Sequence, residues 1–279
     1  MATSAVAFMP GPAAHSAEAT YFIASGRWDN TIVVIDLAKA LDPKNDGTAN
    51  AVVNRIRVTP DIDAKGTGKA DVLAGGQPIN VVISPDKRLA YIVNHSGRAT
   101  QEAARSFQHG HPGTVTVVNL EKALNPANNG TLNAVEGYIE TEGAGPTGFA
   151  IAPDGKHAFL AHAEQYGDED GGREIKVVDL TTRKVIGTVM QAYGKPGFPC
   201  PPNPVPHAAP HPNFGCFPDT NGITISPLGG GTLFTGNGGT DDVSVISVAK
   251  AIARNPTAEL ARIPVQTGPF GIGTSPDGR

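Results

Sequence analysis

The hydrophobic and polar positions of this chain follow one order four times over. An apolar strand leads to a turn of the Ser-Pro-Asp-Gly type, then come a second apolar strand, a loop, and a Val/Ile-rich strand that tends to end in Asp or Asn. The turns are Ser84-Pro85-Asp86-Lys87, Ala152-Pro153-Asp154-Gly155, Ser226-Pro227-Leu228-Gly229 and Ser275-Pro276-Asp277-Gly278. The Val/Ile-rich strands are Ile32–Asp36, Val115–Asn119, Ile175–Asp179 and Val243–Ile246. Short strands with turn signals at regular spacing predict an all-β chain, and a self-similar four-stranded unit at this period is the signature of a β-propeller blade. The spacing predicts blades over about 20–77, 78–146, 147–221 and 222–271, with a closing or orphan strand over 270–279. Residues 1–19 fall outside the pattern and read as a leader remnant or a disordered tail.

The repeat resembles the YVTN family of β-propeller units, a relative of the lactonase and cytochrome-d1-like propellers. The likeness rests on Ser84-Pro85-Asp86 with Tyr91-Ile92-Val93-Asn94, and on Ala152-Pro153-Asp154-Gly155-Lys156 with Phe159-Leu160-Ala161-His162. It extends from about Tyr21 onward and implies the fold; such repeats carry many unrelated activities.

Two architectures follow. Blade one lacks the strand that precedes the turn in the others, and the C-terminal strand is of that kind, so the chain could close as a four-bladed ring. Alternatively it is part of a propeller of about seven blades. An incomplete ring leaves open edges that favour association.

A propeller sorts its loops onto two faces. The Ser-Pro-Asp-Gly turns and the third-to-fourth loops share one face, and the latter, Leu37–Pro43, Leu120–Pro126 and Val248–Ala253, each predict a helical turn or two stopped before proline. The loops Asp42–Thr48 and Asn125–Thr131 are oxygen-rich, but Lys44 and Ala127 stand where an EF-type loop needs a ligand, so turn formation is their expected role.

Composition narrows the function classes. A formal charge of −4 without a Lys/Arg cluster argues against nucleic acid as a partner. No segment is apolar for long enough to span a membrane as a helix. The 34 glycines and 24 prolines suit a turn-rich β-fold. The only two cysteines, Cys200 and Cys216, bracket one Pro-rich loop, which predicts a disulfide and a periplasmic or secreted protein.

The candidate chemistry gathers on the opposite, funnel face. His95, His109, His111, His162, His207 and His211, six of the eight histidines, belong to three neighbouring loops there. Neutral imidazoles converging on one point suit copper, zinc or iron. His157 falls on the other face and His15 in the leader or tail. Trp28, Arg98, Asp241 and Asp242 are candidate ligand contacts, and Arg27, Asp29 and Glu164 are the candidates for acid–base lactone hydrolysis. No C-x-x-C-H, H-E-x-x-H or G-x-S-x-G motif occurs. Three readings therefore stand: a binding module whose funnel face takes a protein, a surface polymer or a small molecule; a metal-dependent oxidoreductase or accessory protein; and a lactonase-like hydrolase.

Overall fold

The computed structural model describes residues 6–10, 20–27, 29–59, 75–98, 112–163, 172–194, 197, 200, 215–275 and 277. Its strands form four separate four-stranded antiparallel sheets, each a simple meander in chain order. Sheet one contains β1 (Val6–Pro10), β2 (Thr20–Gly26), β3 (Thr31–Asp36) and β4 (Val52–Arg57). Sheet two contains β5 (Gly75–Ile83), β6 (Leu89–Arg98), β7 (Pro112–Asn119) and β8 (Val135–Ala144). Sheet three contains β9 (Pro146–Ile151), β10 (His157–His162), β11 (Glu174–Asp179) and β12 (Lys184–Met190). Sheet four contains β13 (Thr220–Ile225), β14 (Thr232–Asn237), β15 (Asp242–Ser247) and β16 (Glu259–Pro264). Contacts between sheets run from one to two, two to three and three to four, largely through β1, β5, β9 and β13 and their neighbours. This is the blade arrangement of a propeller, as the repeat predicts.

The local chemistry is the same in each unit. β-Branched residues alternate between two sheet faces, as in β3, where Ile32 and Val34 are fully buried. The turn into the second strand is held by its own side chains: Ser84 Oγ donates to Asp86 Oδ1 at 2.6 Å and accepts from Leu89 N at 2.9 Å. Its fourth residue takes a left-handed conformation (φ 59° at Lys87, 65° at Gly155), which glycine adopts without a Cβ penalty. The third-to-fourth loops open with α1 (Leu37–Ala40), α2 (Leu120–Leu124) and α3 (Val248–Ile252), capped by Asp36, Asn119 and Ser247. The register between third and fourth strands slips at one equivalent place in every sheet, at Val34/Ile35, Val117/Val118, Val177/Val178 and Val245/Ile246. These shared slips make residue-by-residue comparison between sheets secure.

Three apolar clusters fill the three sheet-to-sheet seams. One joins Ile23, Ile32, Val34 and Ile56 to Ala90, Ile92 and Val118. The next joins Tyr91, Val93, Val115 and Val117 to Phe149, Leu160 and Val178. The third joins Phe159, Ala161, Ile175 and Val177 to Ile223, Leu233 and Ile246.

Two expectations are revised. Sheet one takes its innermost strand from Val6–Pro10, which pairs with β2 from Val6 opposite Ala24 to Pro10 opposite Thr20. That segment lies within the stretch read as leader or tail, because an isolated five-residue apolar run carries no turn signal to mark it. The C-terminal segment, in turn, lies beside β13 rather than against β2: a Cβ on Gly222 would meet Phe270 O at 2.7 Å and Ile272 N at 2.8 Å. Sheet two also begins at Gly75, a few residues before the predicted boundary.

Candidate functional site

Strand direction places the starts of β5, β9 and β13, and the ends of β6, β10 and β14, on one face. The repeat supplies a set of equivalent positions there. Asn94 within β6, and His162 and Asn237 at the ends of β10 and β14, hold the same position, three residues after the aromatic Tyr91, Phe159 or Phe234. All three are fully buried, where an unbonded polar group is costly.

The two asparagines are anchored through their amide nitrogens, although Asn94 Oδ1 has no partner among the described residues. Asn94 Nδ2 donates to Thr116 Oγ1 at 2.8 Å and lies 3.1 Å from Thr114 Oγ1, both on β7. Thr116 in turn donates to Val58 O, which links sheet two to sheet one. Asn237 Nδ2 donates to Asp242 Oδ1 at 2.7 Å and lies 2.8 Å from Ser244 Oγ, both on β15. Gln191, at the end of sheet three, donates to Asn237 Oδ1 at 2.9 Å and Ser244 Oγ at 2.7 Å, and its Oε1 accepts a short bond from Thr220 Oγ1. Arg262 completes this seam. Its Nη1 lies 3.0 Å from Asp242 Oδ2, its Nε 2.5 Å from Glu259 Oε1, and its Nη2 donates to Ala192 O at 2.7 Å.

The seam between sheets two and three is different. At the asparagine position stands His162, and neither ring nitrogen has a hydrogen-bond partner among the described residues. The facing strand offers it no replacement, since Glu174 and Lys176 pair with each other at 2.7 Å in a buried ion pair. Gly143, at the end of β8, makes room for the ring: a Cβ there would lie 2.9 Å from His162 Nε2 and 3.0 Å from Glu174 Oε2. Burial pushes the His162 imidazole down to about 3; nearby Lys176 and His95 push the same way, while the backbone of Glu174 and Leu160 offsets part of this. His95, close enough to be coupled electrostatically to His162, has Nδ1 3.2 Å from Pro146 O, and burial pushes it down to about 4. Both rings are thus neutral at pH 7, the form that ligates metals or exchanges hydrogen bonds with a neutral ligand.

Arg27 reaches toward the same region. Its Nη2 donates to Gln77 Oε1 at 3.0 Å, and desolvation lowers its pKa. Gln77 is buried in a left-handed conformation (φ 61°) with its backbone N–H on Asn30 Oδ1. The structure therefore brings Arg27, His95 and His162 to one face of sheets one to three. Asp29 is exposed in the β2–β3 turn. Asp241, at φ 56°, accepts from Gly268 N, and Asp242 is enclosed by the Arg262 network. His157 lies on the opposite face against Asp154 at 2.6 Å. Arg98 belongs to β6, while Trp28, His109, His111, Glu164, His207 and His211 lie outside the described residues. Among the described residues, no group of three His, Cys, Asp or Glu side chains is arranged to hold a metal ion. Cys200 and Cys216 form the expected disulfide, with Cα atoms 5.7 Å apart.

Two groups escaped the sequence reading. The Glu174–Lys176 pair interrupts an otherwise apolar strand at i, i+2, a spacing that puts both on one sheet face and could have announced it. Asp219 carried no signal: it sits at φ 48° just before β13, and burial pushes its carboxyl up to about 7, with Asn221 pulling slightly the other way.

These groups give the stability a defined pH dependence. Each buried histidine binds its proton less readily folded than unfolded, so its contribution is present above pH 6.5 and is lost as pH falls toward 4. Asp219 acts oppositely, because its folded form holds a proton that the unfolded chain releases above about 4. Two losses against one gain leave roughly one proton, or about 1.4 kcal/mol per pH unit between 6.5 and 4. His162→Asn should flatten that slope in urea titrations; an unchanged slope would place the titration elsewhere.

No family model and no curated protein matches the sequence. Solved structures do resemble the fold. A functionally unknown protein from Desulfotomaculum acetoxidans aligns over 92% of this chain with 16% identity and a TM-score of 0.51. Hydrazine synthase from Kuenenia stuttgartiensis aligns over 92% with 15% identity and a TM-score of 0.46. The chain spans 57% of the length of the first and 75% of the second. At such identities the similarity concerns the fold alone.

Proposed function

We propose that the chain is an exported, YVTN-like propeller unit that binds a small ligand on the face where its innermost strands begin, at the seam between sheets two and three. The observation that carries this reading is His162. The repeat puts an asparagine at that position in sheets two and four, each anchored through its amide nitrogen, and sheet three replaces it with a buried neutral imidazole, neither of whose nitrogens has a partner among the described residues. A break in a repeated local rule, with its cost in desolvation, is expected where a site has a task. Arg27 and His95 flank it. The disulfide supports an oxidising compartment.

A transition ion is the second reading, favoured by the neutrality of both His95 and His162. His109, His111, His207 and His211 are then candidates for the remaining ligands. Chelator-washed protein should be loaded separately with copper, zinc and iron(II), and its metal content measured. About one ion per chain, lost in His162→Asn, establishes the metal reading. If no ion is retained, a thermal-shift panel of small polar compounds comes next, comparing the native chain with His162→Asn. The expected result is a compound that stabilises only the native chain. Equal responses of both proteins across metals and compounds would remove His162 from the binding site.

A further inference from the structure

Each sheet has a backward face, toward the preceding sheet, and a forward face, toward the next in chain order. The forward face of sheet three carries Ile175 and Val177, both fully buried beneath sheet four. Arg173 precedes Ile175 by two residues and so shares that face, at the end where β11 begins. This is the end of the sheet that carries His162, because β10 and β11 are antiparallel and Ala161 faces Ile175. His162 and Glu174 meet at the seam with sheet two, whereas Arg173 lies at the seam with sheet four.

The Arg173 guanidinium is held from two sides. Its Nη1 donates to Gln191 O at 2.7 Å, and its Cζ stands 4.0 Å from the centre of the Tyr193 ring. Tyr193 packs edge-on against Phe217, with ring centres 5.6 Å apart. Gly194 N donates to Cys216 O at 2.7 Å, so this platform is joined to the foot of the disulfide loop. A long, flexible side chain is thereby fixed in one place.

No counter-charge accompanies it. Among the described residues no carboxylate pairs with Arg173, Nη2 makes no hydrogen bond, and Nε is enclosed without a partner. The carboxylates of the region are engaged elsewhere: Glu174 with Lys176, and Asp242 and Glu259 with Arg262. The Asp219 carboxyl is shifted by burial and by Asn221, and by no cation. Arg262, in the same seam, shows what the fold does with an arginine that it uses for stability, answering it with two carboxylates and Ala192 O. Arg173 is half-buried, and removing an unpaired charge from water is costly.

The repeat gives the same position another role. Gln191 N donates to Arg173 O as Val58 N does to Asn30 O and Val265 N to Asp241 O, which makes Asn30, Arg173 and Asp241 equivalent. Asn30 Oδ1 accepts from Gln77 N at 2.9 Å, and Asp241 Oδ1 accepts from Gly268 N at 2.9 Å. Both donors are left-handed residues, and Asp219, which leads into β13, is left-handed too (φ 48°). In sheets one and four, then, a side-chain acceptor clasps the backbone of the next unit. Sheet two has Gly113 at this place, where packing decides, since a Cβ would lie 2.2 Å from Pro146 Cγ. Sheet three has a guanidinium, which offers donors only and cannot make the clasp. Neither packing nor an ion pair accounts for it.

We propose that Arg173 anchors a second binding site, at the seam between sheets three and four, which takes the carboxylate group of a small ligand on the guanidinium edge formed by Nη2 and Nε. That edge matches the two oxygens of a carboxylate. Tyr193 fixes the plane of the fork, and the bond from Nη1 to Gln191 O fixes which edge is presented. Acetate is the simplest probe. The ¹⁵N-labelled full chain is titrated with sodium acetate at constant ionic strength, and the Arg173 Nε–H signal, protected from exchange by its enclosure, is followed by NMR. A saturable shift that sodium chloride does not produce is expected, and it should persist in His162→Asn. Acetate should also raise the thermal midpoint of the native chain, and this response should be lost in Arg173→Lys, which keeps the charge but not the fork. No saturable shift, an equal thermal response of Arg173→Lys and the native chain, or loss of the response in His162→Asn would each overturn the proposal.

Discussion

Replacing Arg262 with alanine is expected to destabilise the chain by about 3–5 kcal/mol, the cost of stranding a buried partner charge. Asp242 is 0% exposed and Glu259 largely buried, and Arg262 answers both carboxylates while capping Ala192 O across the seam. Asn237, Thr240 and Ser244 complete the set, so removal of the guanidinium leaves two carboxylates with hydrogen-bond donors but no counter-charge. Lysine is expected to recover only part of the loss, because its single ammonium cannot span Asp242, Glu259 and Ala192 together. Urea denaturation of the three proteins measures this directly. A loss below about 1 kcal/mol for Arg262→Ala would show the network to be open to water, as in a surface pair.

Phe159→Ala and Phe234→Ala are expected to differ although the two residues occupy the same place in the repeat. Phe159 is fully enclosed between sheets three and four, and its truncation should cost about 3–5 kcal/mol. Phe234 lies on the forward face of sheet four and is only partly buried. Its truncation should cost clearly less. Urea denaturation of the two variants decides the matter. Equal costs would mean that Phe234 is enclosed as fully as Phe159.

The blades were legible because their information is local. Ser-Pro-Asp-Gly turns, strands of alternating β-branched residues and the Leu-x-Lys-Ala-Leu helical turns each depend on neighbours a few residues away, and each recurs. The helix caps at Asp36, Asn119 and Ser247 belong to the same class. Val6–Pro10 was hidden because it pairs with β2 without a recognisable turn between them. The site was half legible. His95 and His162 stood out as residue types on one face, but their neutrality comes from burial by sheets that are distant in sequence. The partnerless state of His162 becomes visible only beside Asn94 and Asn237, whose bonds run to other strands and other sheets.

From the sequence alone came the all-β repeat, the two loop faces, the disulfide between Cys200 and Cys216, and the placing of His95 and His162 on one face. Those follow from turn chemistry, side-chain period and covalent reach, all short-range properties of the chain. Tertiary structure decided which polar residues are engaged, placing Asp242 within the Arg262 network and leaving His162 unanswered among the described residues. It also decided which of four similar sheets lie open, because burial of a sheet face depends on whether another sheet stands against it and not on the residues of that face.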